Sequence, residues 1–330
     1  MVFFIASVFA KANTEVFFMS IWISVLLFAV GIVLVVKGGD WFVDSASWIA
    51  RAANIPPFII GATIVSLATT LPEMIVSVMA SLAGKNDMAV GNAIGSVTAN
   101  LGLIMAIAFI FLSSSTPRSK YLKQCLILIA TAAILWVGSL GGNVQPWATI
   151  ALAALFILFT ATVIIDTKQE SAAAEKPDCS RKEVVRNIAF FVIGAAAIVL
   201  GSNLLVDGGS AIATALGVPE RAIAVTMVAI GTSLPELVTT ITAIRKKEAH
   251  LSAGNIIGAN IIDLALILPI CSAVSGSSFA VSAAMLSMDF PACMLLVLIA
   301  MVPLMIRQKS SRVQGAVMLA AYAGYLVLTL

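Results

Sequence analysis

Charge and metal-binding side chains are what this chain has least of. Only 11% of its 330 residues are Asp, Glu, Lys or Arg, against 61% apolar, so no soluble domain could bury its hydrophobic surface. The single histidine, His250, rules out a zinc centre built on clustered imidazoles and reads as a capping or interfacial residue. Cys125, Cys179, Cys271 and Cys293 have neither paired nor metal-ligand spacing, so they read as free thiols. No Gly-x-Gly-Asp signature is present, which removes the aspartyl intramembrane proteases. No enzyme is expected. The net charge of +3 reports topology and implies no nucleic-acid partner.

Long apolar runs are abundant. Stretches of spanning length fall at about 16–36, 57–83, 88–112, 121–140, 147–165, 188–216, 220–244, 251–273, 279–306 and 313–330. The pattern predicts an all-α polytopic membrane protein with ten transmembrane helices, the first prolonged by amphipathic sequence to Arg51. Fifteen of the 19 Lys and Arg residues fall on one side of these spans, and only Lys11, Lys85 and Arg221 on the other. The positive-inside rule makes the rich side cytoplasmic and places both termini outside. Residues 1–12 end in an Ala-Lys-Ala resembling a cleavage site, but no basic region precedes the apolar run, so they read as an uncleaved extension.

One segment occurs twice. Pro56–Ile104 aligns without a gap on Pro219–Ile267, 163 residues later, with 16 of 49 pairs identical. The pairs with most information are Ala-Thr-Thr-Leu-Pro-Glu (68–73) against Gly-Thr-Ser-Leu-Pro-Glu (231–236), and Gly-Asn-Ala-Ile-Gly (91–95) against Gly-Asn-Ile-Ile-Gly (254–258). Five spans per half is odd, so the second copy must enter the membrane from the opposite side, giving two inverted five-helix repeats. The first is expected at 1–165 and the second at 188–330, joined by a cytoplasmic linker at 166–187 too short for a folded domain.

A glutamate in mid-span costs roughly 2.5–3.5 kcal/mol even on lenient insertion scales and normally faces a partner or a cavity. Glu73 and Glu236 have no basic residue within a turn, and Lys37, the one deeply placed cation, has its own candidate partner in Asp40. A bound cation is the natural counter-charge. Each glutamate follows a proline, which frees the carbonyl four residues earlier: that of Ala68 for Pro72 and of Gly231 for Pro235, with the neighbouring carbonyls of Ser66 and Ala229 also candidates. With the hydroxyls of Thr69, Thr70, Thr232 and Ser233, each kink offers only hard oxygen donors, the set that suits Ca²⁺ and Na⁺. Ser96 and Asn100 share a face of the next span and align with Ala259 and Asp263. The paired glycines of these spans read as packing surfaces. Asp44 and Asp207 also match but lie near helix ends, where solvation or pairing is expected, and Asp289 beside Pro291 reads as a helix kink or end.

At these residues the chain resembles the calcium/cation antiporter superfamily, and within it the prokaryotic sodium/calcium exchangers. The resemblance covers both signature repeats, the ten spans and the short linker. It implies a secondary antiporter in a plasma (inner) membrane, exchanging several Na⁺ for one Ca²⁺ by alternating access as the first and sixth helices slide over the rest. It also implies transported Ca²⁺ and Na⁺ as ligands with no cofactor, held midway between the second, third, seventh and eighth helices. On this chain the family's ligands fall on Glu73 and Glu236, on Thr69, Thr70, Thr232 and Ser233, on the backbone of Ser66 and Ala229, and on Ser96, Asn100 and Asp263. Three positions depart from the pattern: Ala68 for glycine, Val97 for the asparagine after Gly-Ser, and Ala259 for a hydroxyl residue. Relatives on the same scaffold exchange Ca²⁺ for protons or require K⁺, and these are the alternative readings. Asp263 decides which loaded form is neutral and is expected to be protonated with Ca²⁺ bound. The ten-helix unit carries a complete site, so a monomer suffices.

Overall fold

The computed structural model describes residues 2–112, 118–171, 180–217, 233–275 and 279–329. Nearly every described residue is helical, as a chain surrounded by hydrocarbon requires, since there the backbone must satisfy its own hydrogen bonds. Helix α1 (Val2–Ala52) is unbroken and carries the expected prolongation beyond its apolar run. A second span is a bent pair, α2 (Pro57–Thr69) and α3 (Leu71–Leu82), meeting at 48°. Then come α4 (Asn86–Phe111), α5 (Arg118–Ser139), strand β1 (Asn143–Val144) and α6 (Pro146–Ser171). The second half comprises α7 (Arg181–Ala215), α8 (Leu234–Arg245), α9 (Ala249–Ser275), strand β2 (Phe279–Ala280), α10 (Met285–Arg307) and α11 (Arg312–Thr329). Among the described residues seven helices are long and apolar enough to cross a membrane, and α2 with α3 makes an eighth if the bent pair is one span.

The repeat is visible element by element. Leu71–Leu82 and Leu234–Arg245 occupy matched positions, as do Asn86–Ala99 and Ala249–Ile262. Each of the latter widens into a π-helical stretch at its matched next residue, Asn100–Met105 in α4 and Asp263–Ile267 in α9. Helices α1 and α7 pack along their lengths, and glycines set how closely. A Cβ on Gly31 would stand 2.9 Å from the carbonyl oxygen of Gly201, and one on Gly38 2.9 Å from that of Gly194. Since 31 matches 194 and 38 matches 201, the crossing is reciprocal between matched positions. A second crossing lays Gly254 and Gly258 of α9 on the carbonyls of Phe58 and Ala62 in α2. The apolar core is divided accordingly: one cluster fills the space among α2–α6 and α8–α11, and a smaller one joins α1 and α7 to Ile60, Val65, Val238, Ala243 and Leu251.

The structure corrects some expectations and adds detail to others. The all-helical reading misses β1 and β2, which pair antiparallel with Asn143 opposite Ala280 and Val144 opposite Phe279. The polar stretch 166–187 is invaded by helix from both ends, because α6 runs to Ser171 and a capping box of Ser180 and Glu183 starts α7 at Arg181. Lys37 is exposed, and Asp40 instead faces Lys246 at 3.7 Å. Lys246 also lies 2.7 Å from Asp44, which meets the pairing expected of that residue. Asp289 closes a π-helical turn and accepts a hydrogen bond from the Tyr325 hydroxyl at 2.9 Å. Cys179, Arg221 and most of the span expected at 220–244 lie outside the described residues.

Helix α10 carries an interior proline, Pro303, which leaves the Ile299 carbonyl without its helical donor. The Gln314 side chain of α11 supplies one, donating Nε2 to Ile299 O at 2.9 Å and to Ala300 O at 2.8 Å. Gln314→Leu therefore strands a buried carbonyl and is expected to lower stability by about 1–3 kcal/mol, read as a reduced melting temperature in detergent.

Candidate cation site

The break between α2 and α3 falls at Thr70, whose φ and ψ of −85° and 0° interrupt the helix. It puts Glu73 in the first turn of α3, just as Glu236 stands in the first turn of α8 behind Ser233. Matched backbone bonds close both turns, Met74 N to Thr70 O at 3.1 Å and Leu237 N to Ser233 O at 3.0 Å. Asn100 and Asp263 begin the two π-helical stretches. Such bulges widen the helix and recur at functional sites.

Every described member of the predicted set is buried: Ser66, Thr69, Thr70, Glu73, Ser96, Asn100, Ser233, Glu236 and Asp263 are 0–3% exposed. Thr232 and Ala229 lie outside the described residues. Among the contacts that join the halves here, the Thr70 hydroxyl donates to Glu236 Oε1 at 3.1 Å. Among the described residues, both carboxylate oxygens of Glu73, both of Asp263 and Oε2 of Glu236 have no hydrogen-bond partner, nor do the Ser96 and Ser233 hydroxyls or Asn100 Oδ1. Described ion pairs elsewhere, such as Lys123–Asp166 at 2.6 Å and Arg51–Glu248 at 3.8 Å, leave these three acids untouched. Buried carboxylates with neither donor nor cation beside them are among the costliest groups a fold can hold.

The donor set is oxygen throughout. Among the described residues no three His, Cys, Asp or Glu side chains are grouped as a metal cluster, so a cation here must draw on hydroxyls, amides and backbone as well as carboxylates. That fits hard, weakly directional cations and lacks the sulfur and imidazole ligands that favour zinc or copper. The Ser66 carbonyl departs from expectation. It accepts from Thr70 N at 2.9 Å and from the Thr69 hydroxyl at 3.3 Å, because the break comes one residue too late to release it.

Two asparagines of the site escape the sequence reading. Asn255 accepts from the Thr69 hydroxyl at 3.3 Å, and its identity with Asn92 in the repeated Gly-Asn motif was the available signal. Asn260 accepts from Asn100 Nδ2 at 3.1 Å. It aligns with Val97, so no identity marked it.

The sodium/calcium exchanger protein family matches residues 23–165 and 186–330. The chain belongs to that family. Sodium/calcium exchanger MaX1 of Methanosarcina acetivorans is 29% identical over 348 residues, covering 93% of this chain and 98% of its own. An uncharacterized membrane protein of Methanocaldococcus jannaschii, MJ0091, is 34% identical over 238 residues, covering 72% of this chain and 77% of its own. Among solved structures, the sodium-calcium exchanger NCX_Mj soaked with Na⁺ and Sr²⁺ superposes with a TM-score of 0.81 at 28% identity, over 93% of this chain and 98% of that one. This exchanger-family chain is thus a prokaryotic-type multi-pass membrane transporter of the calcium/cation antiporter superfamily and not an enzyme. Its activity is cation/Ca²⁺ antiport.

Proposed function

We propose that the protein exchanges Na⁺ for Ca²⁺ by alternating access, with the cations held mid-membrane on Glu73 and Glu236. The observation that carries this reading is the set of fully buried, unpartnered carboxylate oxygens on Glu73, Glu236 and Asp263. Their desolvation is offset only when positive charge enters, and both Ca²⁺ and Na⁺ suit an all-oxygen shell. Thr69, Thr70, Ser96, Asn100 and Ser233 supply neutral oxygens around them, the sequence adds Thr232 and the Ala229 carbonyl from the second copy, and the Ser66 carbonyl joins when a cation takes the place of the Thr69 hydroxyl on it. No resident cofactor is needed, since the ions are the cargo. The architecture inferred is ten spans in two inverted halves, in a plasma membrane with both termini outside. The reciprocal glycine crossing of α1 and α7 and the matched helix bounds support the inversion, and the Lys and Arg distribution supports the orientation.

The deciding experiment is ⁴⁵Ca²⁺ uptake into proteoliposomes loaded with Na⁺ and diluted into Na⁺-free buffer. Uptake should require the outward Na⁺ gradient, ignore a proton ionophore and need no K⁺. Uptake driven by a pH gradient without Na⁺ would replace this reading with proton-coupled transport on the same scaffold.

A further inference from the structure

An amide ligand poses a problem that a carboxylate does not. Only one of its two polar ends is an acceptor, so something must take the NH₂ if the oxygen is to face a cation. Asn100 solves this with Asn260, whose Oδ1 accepts the Asn100 NH₂ at 3.1 Å and leaves Asn100 Oδ1 buried without a partner among the described residues. Adding 163 to 97 and to 100 gives the matched pair in the other half. Position 97 stands to Asp263 as Asn260 stands to Asn100. There the residue is Val97, fully buried and apolar, and its neighbour in the pattern is an acid with both oxygens unpartnered. A carboxylate presents an acceptor whichever way it turns and needs nothing to hold an NH₂.

We propose that Asn260 is a positioning residue that orients Asn100 toward the transported cation, and that Val97 and Asp263 are the co-adapted counterpart in which no such residue is required. A structural role explains Asn260 poorly. It is fully buried, its own Nδ2 has no acceptor among the described residues, and such a group costs stability, which a purely structural residue would not offset. The departure of Val97 from the family pattern follows directly, since an acceptor at 97 would have no amide to receive.

The inference rests on reading Asn100 as a cation ligand, and the test separates the two claims. Wild-type protein in proteoliposomes is compared with Asn260→Val, Asn100→Asp and the double variant that transplants the Val–Asp arrangement into the first half. The readouts are KM for Ca²⁺, maximal rate and melting temperature without cations. Asn260→Val alone should raise KM by roughly 10–100-fold, the usual loss when a residue supporting a metal ligand is removed. Its melting temperature should change little, because the variant removes the unpaired Asn260 NH₂ and leaves the Asn100 NH₂ unpaired in its place. In the Asn100→Asp background the same substitution should change KM less than about twofold, because the carboxylate needs no support. Equal losses in both backgrounds, or a fall in stability matching the loss of uptake, would overturn the proposal. If Asn260→Val does not fold, the reverse transplant decides: Val97→Asn should lower the KM of Asp263→Asn and not that of the wild type. Failure to do so would equally overturn it. A KM indifferent to Asn100→Asp and Asn100→Leu alike would refute the ligand reading itself.

Discussion

Glutamine at position 73 or 236 is expected to reduce Na⁺-dependent Ca²⁺ uptake to background while raising the stability of the cation-free protein. The two effects have one cause. Each glutamate is fully buried with unpartnered carboxylate oxygen, so its charge destabilises the fold in the absence of cations and attracts them when they are present. Breaking a buried charge pair costs about 3–5 kcal/mol, and at about 1.4 kcal/mol per decade that exceeds a hundredfold in affinity. Saturating Ca²⁺ should stabilise the wild type by about 2.7 kcal/mol at a hundred times its dissociation constant, and this increment should vanish in Glu73→Gln and Glu236→Gln. Melting curves with and without Ca²⁺ therefore give changes of opposite sign. Acids serving only to cross-link helices would instead lose stability in both conditions. Thr70 sharpens the comparison. Its hydroxyl donates to Glu236 Oε1, a bond that glutamine's amide oxygen can also accept, so Glu236→Gln removes charge and leaves the link between the halves intact.

What the sequence disclosed here was whatever the duplication wrote twice. The Leu-Pro-Glu kinks, the packing glycines and the span that bears Asn100 and Asp263 were all marked by identity at one offset, and their helices share bounds at that offset. Features that break the repeat were not legible. Asn260 has valine as its counterpart, and its meaning emerges only when Asn100 is seen against it. The Asp40–Lys246 pair joins residues about 200 apart, and helical spacing pointed to Lys37 instead. The break at Thr70 is a matter of one backbone angle. Proline chemistry identified Ala68 as the residue that loses its donor but said nothing of where the chain would turn. The β1–β2 pair is two residues long on each side, below the length at which alternation can be recognised.

Leucine at Gly258 or Gly254 is expected to prevent assembly altogether, and alanine at either to destabilise by about 1–3 kcal/mol or more. A Cβ at Gly254 would fall on the carbonyl oxygen of Phe58, and one at Gly258 on that of Ala62. The obstacle at both is helical backbone, so no side-chain rotation relieves it. In a bilayer, where no hydrophobic force draws apolar helices together, such close contact is itself the attraction. The two carbonyls belong to α2, whose last turn carries Ser66 and Thr69 into the cation site and whose end at Thr70 places Glu73. Separating α9 from α2 thus pulls the first kink away from Asn255, Asn260 and Asp263 on α9. Alanine variants that still fold should accordingly show a raised KM for Ca²⁺ beyond what their lower melting temperature explains. Gly324 of α11 provides the control. It is exposed with nothing within 4 Å of its Cβ position, and Gly324→Ala should keep or slightly raise stability through helix propensity, by up to about 1 kcal/mol. Comparable damage from Gly324→Ala and Gly258→Ala would mean that the glycines matter for backbone flexibility, and that the close approach of α9 to α2 does not hold the site together.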